Sequence, residues 1–251
     1  MTNPNLFTYL LRLADDNMVV SQRLAALISW MPELELDIAI ANISLDHLGQ
    51  ARHLYTYAAE VEGNGRDEDN LAMERDERGF LNSVLVEQPN GDFAHTITRQ
   101  LFVDAYQVPL YEAMIQSADT TLGGIAAKAA KEARYHLKHS SSWAVRLGGG
   151  TDESHSRMQS AVDNLWMFTA DLFATDQVED ALVAEKVAPR IEPIRQRFDQ
   201  TITQVLDEAN LALPSDTYQR LGGRTGFHTE HLGHILPEMQ TLHRTHPGAT
   251  W

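Results

Sequence analysis

The chain has 251 residues, 43% of them hydrophobic, and a formal net charge of -15 from 35 acidic and 20 basic side chains. This composition is sufficient for one large or two small folded domains, and the negative charge disfavours nucleic acid and anionic membranes as partners. The absence of cysteine excludes disulfides, thiolate zinc sites, iron-sulfur clusters and thiol nucleophiles, so any metal must be held by histidine and carboxylate side chains.

Hydropathy gives no sign of a membrane segment. No run of about 18 apolar residues occurs, and the N-terminus lacks the basic region, apolar stretch and cleavage site of a secretory signal. We therefore expect a cytoplasmic protein.

The first predicted element is a helix from Leu6 to Trp30, which is followed by a longer helix from Leu36 to Glu60. The inward positions of the longer helix recur at alternating steps of four and three residues, the pattern of a helix packed in a bundle. These positions are Leu36, Ile40, Ile43, His47, Gln50, Leu54 and Ala58. Two of them, His47 and Gln50, are polar.

The next segment, from Asn70 to Val86, has a helical pattern with a charged face at Arg75 to Arg78. A solvated surface explains such a face most simply. The sequence Gln88 to Phe93 then contains the Pro-Asn-Gly run of a turn.

Two more long helices follow. The helix that begins at Ala94 carries a single acid, Asp104, on its inward stripe. Pro109 introduces a possible kink in that helix. The fourth helix starts after Gly123 and Gly124 and has these inward positions: Ala126, Ala129, Ala133, His136, Ser140, Trp143 and Leu147.

Further helices are predicted in the C-terminal part. One begins at the cap Thr151 and extends to about Phe173. Residues 178–210 are mostly helical with breaks at Pro189 and Pro193, and a last helix covers Thr229 to His243. No strand alternation is sustained, so the sequence predicts a single all-α domain over residues 1–251. It comprises a four-helix bundle at about 6–147 and a helical extension at about 151–251.

The polar inward positions suggest a comparison with di-iron carboxylate sites. Such a site takes a Glu from each of two helices and a Glu-x-x-His pair from each of the other two, so that four carboxylates offset the charge of the irons. Here one pair reads His47 and Gln50, and the other reads Ala133 and His136. Asp104 is the one acid on these stripes, because the first helix offers only Asn17 or Ser21.

Several interpretations remain open at this point. The residues form an active di-iron centre, a pocket in which polar remnants satisfy each other, or unrelated buried polar groups. A shift of the fourth helix that turns Glu132 inward would supply a carboxylate to an active centre. A single ion held by His47, Asp104 and His136 is also sterically conceivable. Separately, His228, His231 and His234 recur every three residues, which is compatible with zinc or with capping and surface histidines.

At this point the sequence resembles a known family. The segments that carry the resemblance are ANISLDHLGQARHLYTYAAE, RDEDNLAMERDER, LVEQPNGDFAHTITRQ, AAKAAKEARYHLKHS and HTEHLGHILPEMQTLHRTHPGATW. Together they make the chain similar to the C-subunit family of the bacterial phenylacetyl-CoA 1,2-epoxidases, also called phenylacetate-CoA oxygenases. The likeness covers nearly the whole chain.

The resemblance implies a ferritin-like structural subunit of phenylacetate catabolism without its own active site. In that family a homologous catalytic A subunit holds the di-iron centre and inserts oxygen into the aromatic ring, while a reductase subunit supplies electrons through flavin and iron-sulfur groups. We therefore expect no catalytic residue, metal or cofactor in this chain, and the A subunit and the other epoxidase subunits as partners. Self-association is also possible. The vestigial positions are His47, Gln50, Asp104, Ala133 and His136.

The resemblance further implies that this family of subunits helps to frame the CoA thioester site. The residues that we assign to it are Glu35, Leu36, Asp37, Ile38, Gly79, Phe80, Leu81, Asn82, Asp180, Ala181 and Leu182. The alternative function is an independent di-iron carboxylate oxidase or a ferritin-like iron protein.

Overall fold

The structure, a computed structural model, describes residues 3–215 and 218–249. The final residues of the tail motif, Thr250 and Trp251, lie outside these ranges. The described residues form α-helices and short 3₁₀ turns without a β-strand, which confirms the all-α prediction. The helices are α1 (Pro4–Ala25), α2 (Leu34–Glu62), α3 (Glu68–Met73), α4 (Phe93–Met114), α5 (Thr120–Gly148), α6 (Asp152–Trp166), α7 (Gln177–Ala184), α8 (Ile191–Glu208) and α9 (Glu230–Thr245). None of those helices combines the length and apolar composition needed to cross a membrane.

The chain divides into two compact units. The described residues of Met1–Pro89 and Leu221–Trp251 form unit 1, and those of Asn90–Arg220 form unit 2. The C-terminal tail therefore packs with the N-terminal helices. The prediction of one domain over residues 1–251 is not tested by this division and stays a prediction.

Unit 1 is built on the pair α1 and α2. The prediction that the first helix reaches Trp30 is wrong, because α1 ends at Ala25. Ser29 lies in the left-handed region with φ 77°, and its N–H donates to the Asp37 carboxylate at 2.7 Å, so this segment is a turn. The long helix is confirmed. α2 ends at Glu62 and is followed by Gly63, whose φ of 69° is easily adopted by glycine.

The predicted helix from Asn70 to Val86 is wrong beyond α3. Only a 3₁₀ turn, Glu77–Gly79, follows α3 before the segment becomes irregular. The cause is a competing set of hydrogen bonds: the N–H groups of Leu81 and Ser83 donate to the carboxylates of Asp15 and Asp16, each at 2.7 Å. Backbone donors that bind side chains in this way are not available to a helix.

The same two acids bind two guanidinium groups. Arg75 forms an ion pair with Asp15, and their side chains are 9% and 0% exposed. Arg224 pairs with Asp16 at 2.8 Å, with side chains 7% and 6% exposed. The interpretation of Arg75 as part of a solvated face is therefore wrong, although Asp76 is 88% exposed as that interpretation requires.

Within unit 1, the tail from Leu221 onward contacts the N-terminal part of the chain at several points besides Arg224. Gln240 on α9 donates to the carbonyls of Ala72 at 3.1 Å and Arg75 at 3.0 Å. Gly226 has φ 77°, and a Cβ there would lie 2.5 Å from the Arg78 carbonyl oxygen. The close approach of these two loops therefore requires glycine.

Within unit 1, His228 and Glu87 form a second buried contact between the tail and the N-terminal part of the chain. The side chains of both residues are 0% exposed. His228 Nδ1 lies 2.8 Å from a Glu87 carboxylate oxygen, and Nε2 lies 2.8 Å from the Phe80 carbonyl oxygen. Glu87 also accepts from the backbone N–H of Thr229 and from Asn82. Both ring nitrogens are used, so His228 is neither a zinc ligand nor a surface histidine.

Unit 2 contains the other two long helices. α4 continues through Pro109, and α5 begins at Thr120, before the glycine pair that was expected to precede it. The Thr151 capping box is confirmed. The helix predicted up to Phe173 is wrong after Trp166, where α6 ends before a 3₁₀ turn. Rings of Phe102, Trp166, Phe173 and Phe198 pack with centroid distances of 5.0–6.3 Å.

The remaining helices of unit 2 agree in part with the sequence pattern. Residues 178–210 divide into α7 and α8 as expected, and Pro189 lies in the break. The expected break at Pro193 is wrong, because this residue lies in the first turn of α8. Proline is tolerated there since the first-turn N–H groups have no partner within the helix.

The buried pair of Arg224 and Asp16 leads to a stability prediction. We expect Arg224→Met to lower the free energy of unfolding by about 3–5 kcal/mol, since it leaves a buried carboxylate without its partner. The control is Arg52→Met, because the Arg52 side chain is 73% exposed in its pair with Glu68. We expect the control to cost less than about 1 kcal/mol in urea unfolding. Equal losses in both variants would show that Arg224 is no anchor.

The contact of His228 with Glu87 leads to a pH prediction. Burial lowers the pKa of His228, but the hydrogen bond and charge of Glu87 and the Phe80 carbonyl outweigh it, so the pKa lies above 6.5. The resulting stabilisation is complete below about pH 6.5 and is lost as pH rises through the folded pKa. Urea unfolding between pH 6 and 9 should therefore show a smaller pH dependence for His228→Gln than for the wild type. The exposed His234 gives the control His234→Gln, and parallel curves for all three proteins would contradict the prediction.

Candidate functional site

The residues predicted for the vestigial pocket are all buried. Four of them, His47, Asp104, Ala133 and His136, are 0% exposed, and Gln50 is 3% exposed. The first two positions in the motif, His47 and Gln50, lie on α2 in unit 1, whereas the other three lie on α4 and α5 in unit 2.

In unit 1 the imidazole of His47 is bound by α1. His47 Nδ1 lies 2.8 Å from the side-chain oxygen of Asn17, and the Asn17 amide nitrogen donates to the Leu13 carbonyl at 2.8 Å. In this arrangement His47 Nδ1 is the donor, so Asn17 sets the tautomer of the ring. The first helix thus offers an amide, rather than a carboxylate, to the histidine.

One turn away, two serines connect the same helices. Ser21 Oγ donates to the Ser44 carbonyl, and Ser44 Oγ donates to the Ser21 carbonyl, each at 2.9 Å. Small side chains that exchange hydrogen bonds with the facing backbone allow close approach of two helices. Neutral polar groups therefore link α1 and α2 where a di-iron protein would place charged ligands.

In unit 2 the central residue is Asp104 on α4. The Gln100 amide donates to one carboxylate oxygen, and the Ser140 hydroxyl donates to the other, both at 2.7 Å. Burial raises the pKa of Asp104 to about 6, although the charge of His136 and the two hydrogen bonds favour the ionised form. Both carboxylate oxygens already have protein donors.

These donor sets do not fit a pair of irons. Among the five mapped positions Asp104 is the one carboxylate, and the methyl group of Ala133 has no lone pair to offer. The Glu132 side chain is 19% exposed and lies 3.9 Å from Lys128 on the outer side of α5, so it does not replace Ala133. A pair of divalent irons would retain most of its charge in a buried environment, which is far more costly than a neutral core.

The residues assigned to a CoA site lie in three segments of differing exposure. In unit 1, Glu35 and Ile38 are exposed on the first turns of α2, whereas Phe80 and Asn82 are buried. Asn82 already donates to Glu87 at 2.9 Å. In unit 2 the segment Asp180 to Leu182 lies on α7. These assignments stay predictions.

Sequence reasoning missed the buried ion pairs of unit 1. The available signal was the pair Asp15 and Asp16 within a helix that is otherwise apolar on most faces. Two adjacent acids in such a helix indicate buried carboxylates, which require cationic partners. Their partners Arg75 and Arg224 are too distant in the sequence to be paired by any local pattern.

Comparison with known proteins identifies the family to which this chain belongs. The family model described as phenylacetic acid catabolic protein matches residues 1–251. The chain is also 50% identical over 246 residues to the C subunit of 1,2-phenylacetyl-CoA epoxidase from Escherichia coli strain K12, an alignment that spans 98% of this chain and 99% of that protein. The predicted family and the all-α, ferritin-like fold class are therefore confirmed.

The environment of Asp104 leads to a test of the candidate site. Its folded pKa of about 6 exceeds the usual value of about 3.9. Protonated Asp104 therefore contributes to the free energy of unfolding in full below about pH 4, and this contribution is lost as the pH rises to about 6. We expect Asp104→Asn to raise the free energy of unfolding at pH 7.5 by about 1–3 kcal/mol, and by about a third of that amount at pH 4.5.

The exposed acid Asp207 on α8 gives the matched control Asp207→Asn, for which no comparable gain is expected. Urea unfolding of the three proteins at both pH values provides the measurement. If Asp104 served as an iron ligand, Asp104→Asn would instead lower the stability of the iron-loaded protein, and this outcome would overturn our interpretation.

Proposed function

The chain belongs to the phenylacetic acid catabolic protein family, and on this basis we propose that it is a non-catalytic structural subunit of a cytoplasmic ring-1,2-phenylacetyl-CoA epoxidase. In this proposal a homologous catalytic subunit holds the di-iron centre, and this chain supports that subunit in a heteromeric complex. The relative from Escherichia coli, named as a subunit of such an epoxidase, supports the assignment.

The observation that carries the proposal is the loss of ligands at the mapped positions. Ala133 and Gln50 stand where the resemblance expects a glutamate and a histidine, and both are buried. Packing cannot restore a donor that the side chain lacks. The polar residues that remain have neutral partners on neighbouring helices, Asn17 for His47 and Ser140 for Asp104. These bonds support a structural role.

The resemblance also implies a division of chemistry between subunits, in which electrons reach the catalytic subunit from a separate protein. Iron-sulfur clusters need cysteine thiolates, and this chain has no cysteine, so it would not itself hold the iron-sulfur group. We assign the supply of electrons to a reductase subunit that holds flavin and an iron-sulfur cluster. The catalytic and reductase subunits are thus the proposed partners.

The CoA assignment is retained as part of the proposal. The first amides of α2 have no partners within the helix and would attract a phosphate group. Glu35 and Asp37 in the same turn oppose that attraction. A CoA thioester would therefore be held chiefly by the catalytic subunit, with the segments of this chain at the edge of its site.

Metal analysis tests the proposal. We expect the chain, expressed alone with added iron, to contain far less than one iron per polypeptide, because its mapped positions offer a single carboxylate. The complex obtained by co-expression with the catalytic subunit of the same organism should contain iron in proportion to that subunit. Elemental analysis by mass spectrometry measures both quantities.

The independent oxidase or iron-storage alternative predicts a different result. Stoichiometric iron in the isolated chain, with the absorption of an oxo-bridged pair, would overturn the structural role. As a positive control, His47→Glu, Gln50→His and Ala133→Glu together restore the expected ligands. An iron-dependent rise in the unfolding temperature of this triple variant, absent from the wild type, is the expected result, and its absence would count against the mapped positions.

A further inference from the structure

The outer face of α2 carries a stripe of exposed apolar side chains. The exposed fractions are 71% for Leu34, 53% for Ile38, 63% for Leu45 and 37% for Leu48. Steps of four, seven and three residues place these side chains on one side of a helix. The stripe extends from Leu34 to Leu48, a rise of about 21 Å along the helix axis at about 1.5 Å per residue. Trp30, just before α2, is 81% exposed.

This stripe lies opposite the face of α2 that is already buried. Three of the inward residues of α2, Ile40, Ile43 and Leu54, are 0% exposed. A helix that is apolar on opposite sides is normally packed on both of them. α2 thus has apolar side chains on two opposite sides, and the described residues of this chain cover one of them.

We propose that a helix from another subunit of the epoxidase packs on this stripe, named here the α2 outer face. The inference rests on the proposed function, because that function supplies the partner subunit. A neighbouring helix is the occupant whose shape suits the stripe, since residues at these spacings pack between the side chains of a facing helix. The apolar residues would form the centre of the interface and the flanking charges its rim.

The flanking charges disfavour a second copy of this chain. Glu35 and Asp46 lie on one flank of the stripe, and Asp37 lies on the other. In an antiparallel two-fold dimer each flank of the stripe faces the same flank of the other copy. In a parallel dimer each flank faces the opposite flank of the other copy. Along the stripe itself acids face acids in both cases, and opposed like charges weaken association. The one arginine or lysine of α2, Arg52, lies beyond the stripe and pairs with Glu68 at 3.3 Å. The partner therefore presents lysine or arginine beside an apolar stripe.

The backbone of the α2 outer face also permits close approach. Gly49 follows Leu48, and a Cβ placed on Gly49 has no atom within 4 Å. Space beside Gly49 is therefore open in the isolated chain, and a larger residue there would not disturb the fold. In the complex the same residue would obstruct the facing helix. Gly49→Gln should thus weaken docking without changing the fold of the isolated chain.

Binding to the catalytic subunit of the same organism tests the inference. We expect Leu45→Glu and Gly49→Gln each to weaken binding and so to raise the dissociation constant about 10- to 100-fold. Biolayer interferometry with purified full-length chains measures it. The matched control is Leu242→Glu, which places the same charge at a residue that is 56% exposed on α9. Its dissociation constant should stay within about threefold of the wild-type value. Unfolding curves of each variant confirm that the fold is retained.

The outcomes separate this inference from the proposed function. If the wild-type chain does not bind the catalytic subunit, the proposed function fails. If the wild type binds and Leu45→Glu and Gly49→Gln bind equally well, the assignment of the α2 outer face is overturned. If the wild type is instead a dimer that Leu45→Glu separates into monomers, the occupant is a second copy and the proposed partner is wrong.

Discussion

Two buried carboxylates on α1 determine the arrangement of unit 1. Asp15 and Asp16 are 0% and 4% exposed, and ionised groups at that depth are stable only with cationic and hydrogen-bonding partners. Two arginines and two backbone N–H groups fulfil that role. The chain after α3 therefore follows the carboxylates and not a helical path, and the tail returns to α1 through Arg224. Burial nevertheless raises the pKa of Asp16, although Arg224 opposes the rise.

The parts of the fold that could be predicted are those with a local cause. Repeated inward residues gave α2, α4 and α5, and the cap residue Thr151 gave the start of α6. The predictions that were wrong concern segments whose conformation depends on residues far away in the sequence. The segment after α3 has a helical pattern, but its Leu81 and Ser83 amides bind residues more than 60 positions earlier. Periodicity contains no information on such pairings, because they depend on which helices pack together.

The candidate site was predictable in chemistry but not in detail. The sequence alone gives the residue types, and an alanine at position 133 cannot become a ligand in any fold. Burial of the five mapped positions also followed from their periodicity. The partners were not predictable: Asn17 binds His47, and Ser140 binds Asp104, across helices whose register the pattern does not fix. The pKa of Asp104 near 6 is a consequence of that environment.

In the proposed function, the shortage of metal ligands and the exposed stripe would have a common physical explanation. A bound metal pair cross-links the helices of a di-iron bundle, and loss of the ligands removes that source of stability. Hydrogen bonds such as those of Ser21 and Ser44 replace only part of it, because each contributes about 1 kcal/mol net. Burial of Leu34, Ile38 and Leu45 against another subunit would contribute about 1–2 kcal/mol per side chain, because each is already partly covered in this chain. In the proposed complex, packing on both sides would keep α2 fixed, and the stability of this chain would be coupled to that of its partner.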